Sequence, residues 1–186
     1  MTQHQHYEVL GQYPGFELRR YPMHLIAEVE VGGSFIEAGN RAFGVLVGYI
    51  SGRNTSSARV AMTAPVVQVR AGEPIAMTSP VVQQPSASAG RHAVAFVMPD
   101  GYSIDTLPVP SDPRIAIREV APQVAAVDPF SGRWTEESYL ARLAGLRAAV
   151  ARAGFEEAGS PRFARFDPPW TPWFLRRNEI VLPVRA

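Results

Sequence analysis

From residue 24 to residue 31 apolar and polar side chains alternate, with Leu25, Ala27, Val29 and Val31 on one face and Ile26, Glu28 and Glu30 on the other. That period of two marks a half-buried strand. Shorter runs of the same kind at residues 7–12 and 16–21 flank the Pro14-Gly15 turn signal and predict a strand pair. The period then lengthens. Ser34-Phe35-Ile36-Glu37 has the form of a capping box, and Ile36, Gly39, Phe43, Leu46, Val47 and Ile50 recur at helical spacing as far as Gly52. An amphipathic helix over residues 34–51 is the result. Its Gly39, Gly44 and Gly48 each lose up to about 1 kcal/mol of helix propensity relative to alanine, so something is expected to approach the helix closely.

Residues 60–68, Val-Ala-Met-Thr-Ala-Pro-Val-Val-Gln, return at 75–83 as Ile-Ala-Met-Thr-Ser-Pro-Val-Val-Gln. Proline donates no ladder hydrogen bond and restrains the residue before it. Each copy therefore reads as extended chain bent at Pro65 or Pro80, and the pair as two neighbouring strands joined by a turn at 70–74. Residues 92–98 are strand-like, Pro108, Pro110 and Pro113 stiffen a connection, and residues 115–120 and 123–127 read as strands interrupted at Pro122. Thr135-Glu136-Glu137 opens a second helix with negative charge at its positive end. Tyr139, Leu143, Leu146 and Val150 form its core stripe, Leu140 widens it and Gly154 closes it. Strands at 162–166 and 178–184 follow, separated by Asp167-Pro168-Pro169-Trp170-Thr171-Pro172-Trp173, whose tryptophans, with Trp134, read as core closure. Strands, helix and strand pair thus occur twice. Residues 1–186 are expected to form one domain with similar halves, about 7–105 and 114–186. The class is α+β rather than doubly wound α/β, because the strands cluster in hairpins.

Composition removes several classes of function. A chain of 186 residues, 46% hydrophobic and 19% charged, has globular character, and its net charge of +1 gives no electrostatic reason to expect nucleic acid. The absence of cysteine excludes disulfides, thiolate catalysis and cysteine-held metal centres. No apolar run has membrane-span length, and the opening Met-Thr-Gln-His-Gln-His lacks the basic and apolar segments of a signal peptide, so a cytoplasmic location is expected. All 18 basic residues are arginine, which we read as the codon usage of a GC-rich bacterium.

A set of short motifs recurs in order along the chain: Phe43, Leu46 and Tyr49-Ile50-Ser51-Gly52-Arg53-Asn54, the Met-Thr-(Ala/Ser)-Pro-Val repeat, and Phe96-Val97-Met98-Pro99. The set continues through Leu107-Pro108-Val109-Pro110-Ser111-Asp112, Phe130-Ser131-Gly132, Asp167-Pro168-Pro169-Trp170-Thr171-Pro172 and Arg176-Arg177-Asn178-Glu179. These motifs carry a resemblance to the SOUL, or heme-binding protein, family. It implies a pseudo-twofold, distorted antiparallel β-barrel of about eight strands flanked by two α-helices, akin to the effector-binding domains. It also implies heme or another tetrapyrrole, a flat hydrophobic small molecule, in a shallow apolar groove beside the first helix, for transport, buffering or sensing. Carried over residue by residue, that groove involves Asn40, Arg41, Phe43, Leu46 and Val47, with Met62 and Met77 of the repeat as its wall. Asn40 and Gly48 stand where animal relatives carry basic side chains, and Arg41 and Arg53 are the nearby cations.

Beside that resemblance the residues carry plainer readings. His24 and His92 are the candidates for axial ligation of a heme iron, and each also reads as an ordinary strand-end histidine. Met62 and Met77 read equally as core or edge fillers. Arg176-Arg177-Asn178-Glu179, with Asp167 as a partner, reads as an ion-pair network pinning the last strand. Its alternative is a buried Glu179 acting as acid or base in an enzyme for a hydrophobic small molecule. No catalytic constellation is recognisable, so a binding protein without enzymatic activity is expected. A protein-interaction module built on the exposed face of the first helix is the third reading.

Overall fold

The computed structural model describes residues 3–55, 72–86, 90–133, 135–167 and 170–185. The chain begins with β1 (Gln3–His4), β2 (Glu8–Tyr13), β3 (Phe16–Tyr21) and β4 (His24–Gly32), followed by helix α1 (Phe35–Ile50). Then come β5 (Asn54–Thr55), β6 (Thr78–Ser79), β7 (Val81–Pro85), β8 (Arg91–Val97), β9 (Val109–Pro110), β10 (Ile115–Val120) and β11 (Gln123–Ser131). Helix α2 (Glu136–Arg152), β12 (Glu156–Glu157), β13 (Arg162–Arg165), a 3-10 turn at Trp173–Leu175 and β14 (Arg177–Arg185) complete it.

Both helices begin where the local chemistry dictates. The Glu37 amide donates to Ser34 Oγ at 3.4 Å while the Ser34 amide donates to the Glu37 carboxylate at 3.2 Å, a reciprocal pair that satisfies two otherwise unpaired donors. The Ser138 amide donates to Thr135 Oγ1 in the same way at the start of α2. Gly52 follows α1 at a φ of 107°, which disfavours a side chain.

The main sheet is antiparallel, in the order β10-β4-β8-β7-β13-β14-β11-β3-β2, with β12 added to β14. It divides into two wings, β10-β4-β8-β7 and β13-β14-β11-β3, that mirror each other in connectivity and meet along the β7–β13 seam. Helix α1 packs on β4 and β8 of one wing, and α2 contacts β11, β14 and β3 of the other. The β3–β4 turn through Pro22 and the β10–β11 turn through Pro122 each carry the chain from one wing to the other. At the crossing, Gln123 lies in register with Tyr21, and Val120 with His24. The fold is α+β, and among the described residues the hydrogen-bonded path runs open from β10 to β2.

Alternation along the strands sorts side chains between two faces. Leu25, Ala27 and Val29 of β4 and Val94 and Phe96 of β8 share a core with Ala42, Leu46, Tyr49 and Ile50 of α1. The second core places Ile180, Leu182 and Val184 of β14 against Tyr139, Leu143, Leu146 and Val150 of α2. His24, Ile26 and Glu28, together with Ala93, Ala95, Val97, Glu179 and Val181, line the other side of the sheet. The alternation predicted for residues 24–31 is therefore the division between helix-covered core and open cleft.

Three expectations are corrected. The core stripe of α1 is Phe35, Ala38, Ala42, Leu46 and Tyr49, whereas Ile36 and Phe43 are 45% and 37% exposed on the helix's other side. Leu140 is 55% exposed and does not widen the α2 stripe, which Tyr139, Leu143, Leu146, Ala149 and Val150 make up. Trp170 and Trp173 do not close the core, since Trp170 is 81% exposed and Trp173 stacks edge-on with the exposed Phe174. The second repeat copy forms β6, which pairs with β1, and continues after Pro80 as β7, which has both edges taken by β8 and β13. The pairing expected between the two copies involves residues outside the described ones. The first copy, with Met62, and Trp134 lie outside the described residues.

The close approach expected from the α1 glycines is met at two of three positions. A Cβ at Gly39 would stand 2.8 Å from an Arg165 guanidinium nitrogen and 3.0 Å from the Gln83 side-chain oxygen, and one at Gly48 would stand 3.1 Å from Arg53 Cδ. No described atom lies within 4 Å of a Cβ built at Gly44. Arg165 Nη2 donates to Gln83 Oε1 at 2.6 Å, and Gln83 Nε2 donates to the Phe35 carbonyl at 2.8 Å, so crowding Gly39 disturbs a buried bridge between β13, β7 and α1. We expect Gly39→Ala to destabilise by about 1–3 kcal/mol through overpacking, and Gly44→Ala to stabilise by up to about 1 kcal/mol through helix propensity. Denaturant unfolding of the two variants checks this. Stabilisation by both would show that Arg165 yields without cost.

Candidate functional site

The outer face of α1 carries Ile36, Asn40, Phe43, Gly44 and Val47, at the 4, 7, 8 and 11 steps that form one helical stripe. This stripe is distinct from the one that packs on the sheet, and it leaves apolar surface uncovered by any described residue. The Phe43 ring is partly anchored, edge-on to Phe96 of β8 at a centroid distance of 5.6 Å. Beside the stripe lies a hollow of about 220 Å³ whose lining includes Arg41, Gly44, Val45, Tyr49, Arg53 and Arg114. Arg41 reaches across the helix start to donate to the Gly32 carbonyl at 3.3 Å and pairs with Glu37 at 3.9 Å. Asp112 is held by Arg114, whose side-chain and backbone hydrogen bonds pull its carboxyl down to about 2, so it is charged and internally compensated. Arg53 lies along α1 against Gly48. Two guanidiniums thus flank an apolar helical surface.

The structure brings together only part of the predicted set. Asn40 and Arg41 are exposed, Phe43 is partly exposed and Val47 is half-buried, all on or beside the outer stripe. Leu46 is fully buried and supports that surface from beneath. Met77 is exposed in the segment just before β6. The histidines lie elsewhere. His92, at the helix-facing side of β8, packs edge-on against Phe35 at 5.8 Å. His24 is in the cleft on the opposite side of the sheet, its Nδ1 2.9 Å from the Pro22 carbonyl, and burial pushes its pKa below the ordinary histidine value.

Glu179 lies in the same cleft, 2% exposed. Arg19 Nη1 donates to its Oε2 at 3.0 Å, and Arg177 donates to Oε1 through Nη2 at 2.6 Å and Nε at 3.2 Å. Arg19, equally buried, also pairs with Glu17 at 2.6 Å. Burial opposes the charge on Glu17, but hydrogen bonds from Gln12 and Arg19 win and its pKa is lowered. Asp167 accepts from the Arg177 amide at 2.6 Å. The Tyr7 ring covers Arg19 at 4.1 Å and the Phe166 ring covers Arg177 at 4.4 Å. With both oxygens occupied by guanidiniums, this carboxylate anchors β14 to β3, the network that the Arg176-Arg177-Asn178-Glu179 cluster suggested. Sequence reasoning missed Gly44 and Arg114 at the hollow and Tyr7, Tyr21 and Arg162 in the cleft. The one available signal was Glu28 on the face opposite the helix, which is buried although the pattern left it to solvent.

Comparison with known proteins converges on one family. The family described as SOUL heme-binding protein matches residues 2–183. Heme-binding protein 1 of Xenopus tropicalis is 29% identical over 166 residues, 89% of this chain and 81% of the relative, and its Xenopus laevis counterpart is 28% identical over the same span. The crystal structure of the EcmrR C-terminal domain superposes with a TM-score of 0.56, covering 95% of this chain and 99% of that one, at 13% identity. That last likeness is one of fold.

Proposed function

The chain belongs to the SOUL heme-binding protein family, and from that premise we propose that it binds a tetrapyrrole, heme in the first instance, on the outer face of α1. The observation that carries the location is the second apolar stripe of that helix, on which Ile36 and Phe43 are exposed and Val47 is half-buried at the edge of the core. A porphyrin needs a flat apolar support and cations for its two carboxylates. The stripe supplies the first and Arg41 and Arg53 the second. Removing roughly 400 Å² of apolar surface from water is worth on the order of 10 kcal/mol at about 25 cal/mol/Å². Loss of translational and rotational freedom takes back about 4 kcal/mol or more, which leaves about 6 kcal/mol or less from the apolar face, a dissociation constant of tens of micromolar or weaker before the arginine contacts add to it.

Heme supplies an iron with open axial positions. Among the described residues of the outer stripe there is no histidine to fill one. Attachment through a face and two edges, without a strong axial bond, suits pick-up and release, and so a carrier or buffer rather than a catalyst. The occupied oxygens of Glu179 support the same preference over acid–base chemistry.

Titration with hemin, followed by its Soret absorbance, tests this. We expect a saturable one-to-one change that Val47→Asp weakens at least about tenfold, equivalent to 1.4 kcal/mol, and Phe43→Ala weakens less. Val47 is half-buried at the surface, and far-UV circular dichroism of each variant shows that α1 persists. Absence of saturation, or equal affinity in both variants and the parent, removes the proposal.

A further inference from the structure

The cleft between the wings, on the side of the sheet away from both helices, is a cavity of about 470 Å³. That is the size of an ordinary small-molecule site. Its floor is made roomy by Ala93, Ala95 and Ala164, short side chains at central strand positions. The walls mix apolar side chains with polar ones, and the charges among them can be accounted for one by one.

Glu28 is paired with Arg118, and Glu179 with Arg19 and Arg177. Glu119 lines the cavity from an exposed position, where water screens it. His24 is neutral near pH 7, because burial depresses its pKa. Arg162 is different. It is half-buried in the cavity wall, and among the described residues no carboxylate stands within ion-pair distance of it. Its guanidinium is met by the neutral side chain of Gln123, whose amide oxygen, in the orientation that satisfies both groups, accepts from Nη1 at 2.8 Å and Nη2 at 2.9 Å. Burial pushes the Arg162 pKa down, yet arginine keeps its proton in proteins. An uncompensated cation in such a place is unfavourable unless an anion joins it. Tyr21 stands in register with Gln123 and lines the same cavity, where its hydroxyl can donate to an anion. Burial keeps that hydroxyl protonated.

We propose that the cleft binds an organic carboxylate with a compact apolar body, the carboxylate on Arg162 and Tyr21 and the body over the alanine floor. The site is separate from the α1 surface and does not depend on it. Because the buried carboxylates are already neutralised by arginine, the cleft discriminates against organic cations of the same shape.

Two fluorescent probes with one body, 1-pyrenebutyrate and the 4-(1-pyrenyl)butyltrimethylammonium ion, test the proposal by anisotropy titration of the full chain. The carboxylate is expected to bind one-to-one and at least tenfold more tightly than the cation. Arg162→Gln is expected to erase that preference by weakening the carboxylate at least tenfold. Hemin binding should be unchanged in Arg162→Gln. Ala95→Leu, which fills the floor without altering charge, should also weaken pyrenebutyrate at least tenfold and serves if Arg162→Gln folds poorly. Equal binding of the two probes, tighter binding of the cation, or indifference to both variants overturns the proposal. A parallel loss of hemin binding in Arg162→Gln overturns the separation of the two sites.

Discussion

Glu179→Gln is expected to lower the unfolding free energy by about 3 kcal/mol, at the lower end of the range for breaking a buried ion pair. The substitution preserves shape, so the loss is electrostatic. Arg19 and Glu179 are each 2% exposed and lie 3.0 Å apart; without the carboxylate charge, Arg19 retains only Glu17, which is a quarter exposed. Arg177 is less affected because it reaches solvent. The effect is therefore specific to one pairing, and a double substitution reveals it. Arg19→Met with Glu179→Leu should recover most of the stability, since no buried charge is then left unpaired. Urea unfolding midpoints of the parent, both single variants and the double variant measure this. A double variant no more stable than either single one would show that the network contributes net stability beyond the avoidance of an orphaned charge.

Asn54→Ala should follow closely, at about 2–3 kcal/mol, taking each lost hydrogen bond at about 1 kcal/mol and a stranded polar group at about 1–3 kcal/mol. The Asn54 side chain, 4% exposed, donates to the Tyr49 carbonyl at 2.9 Å and to the Glu73 carbonyl at 2.8 Å, and accepts from the Glu73 amide at 2.8 Å. It ties the end of α1 to the chain that returns at residue 73, where the Ile75 amide also donates to the Ile50 carbonyl at 2.8 Å. Asn54→Asp keeps the acceptor and loses the donors, so it should also destabilise. Equal stability of Asn54→Asp and the parent would show that the two carbonyls find other donors. Either variant should also loosen the Tyr49-Arg53 end of the α1 surface, because Arg53 sits between Gly48 and Asn54.

Much of this architecture was readable from local rules. Capping chemistry at Ser34 and Thr135 gave the helix starts, and the alternation at residues 24–31 gave the face of β4 that meets α1. These signals act within a few residues and need no knowledge of the partner. The α1 core stripe was read in part: Leu46 and Ile50 are buried as the spacing indicated, but Phe35, Ala38, Ala42 and Tyr49 complete it, while Ile36 and Phe43 are exposed. Spacing alone admitted both faces, and packing on β4 and β8 chose between them. That choice has functional value, since apolar side chains placed away from the core are what a ligand surface requires. The cleft was not legible. Arg19 and Glu179, or Tyr21 and Gln123, become neighbours only through strand pairing across most of the chain. The exposed Trp170 and Trp173 follow the same logic in reverse, because aromatic content alone does not say whether a proline-rich turn folds inward.

The crossing turns at Pro22 and Pro122 bear on how the protein is made. Each wing contains a strand from the opposite part of the chain: β10 completes the wing built on α1, and β3 that built on α2. During synthesis β3 emerges early, yet β11, to which it pairs, is among the later segments. Until then the paired face of β3 has no strand to bond, and β4 waits likewise for β10. Non-local pairing of this kind slows folding and leaves strand edges exposed to other chains. The nascent polypeptide therefore depends on timing, with its first wing held incomplete until the ribosome has delivered the residues that finish both.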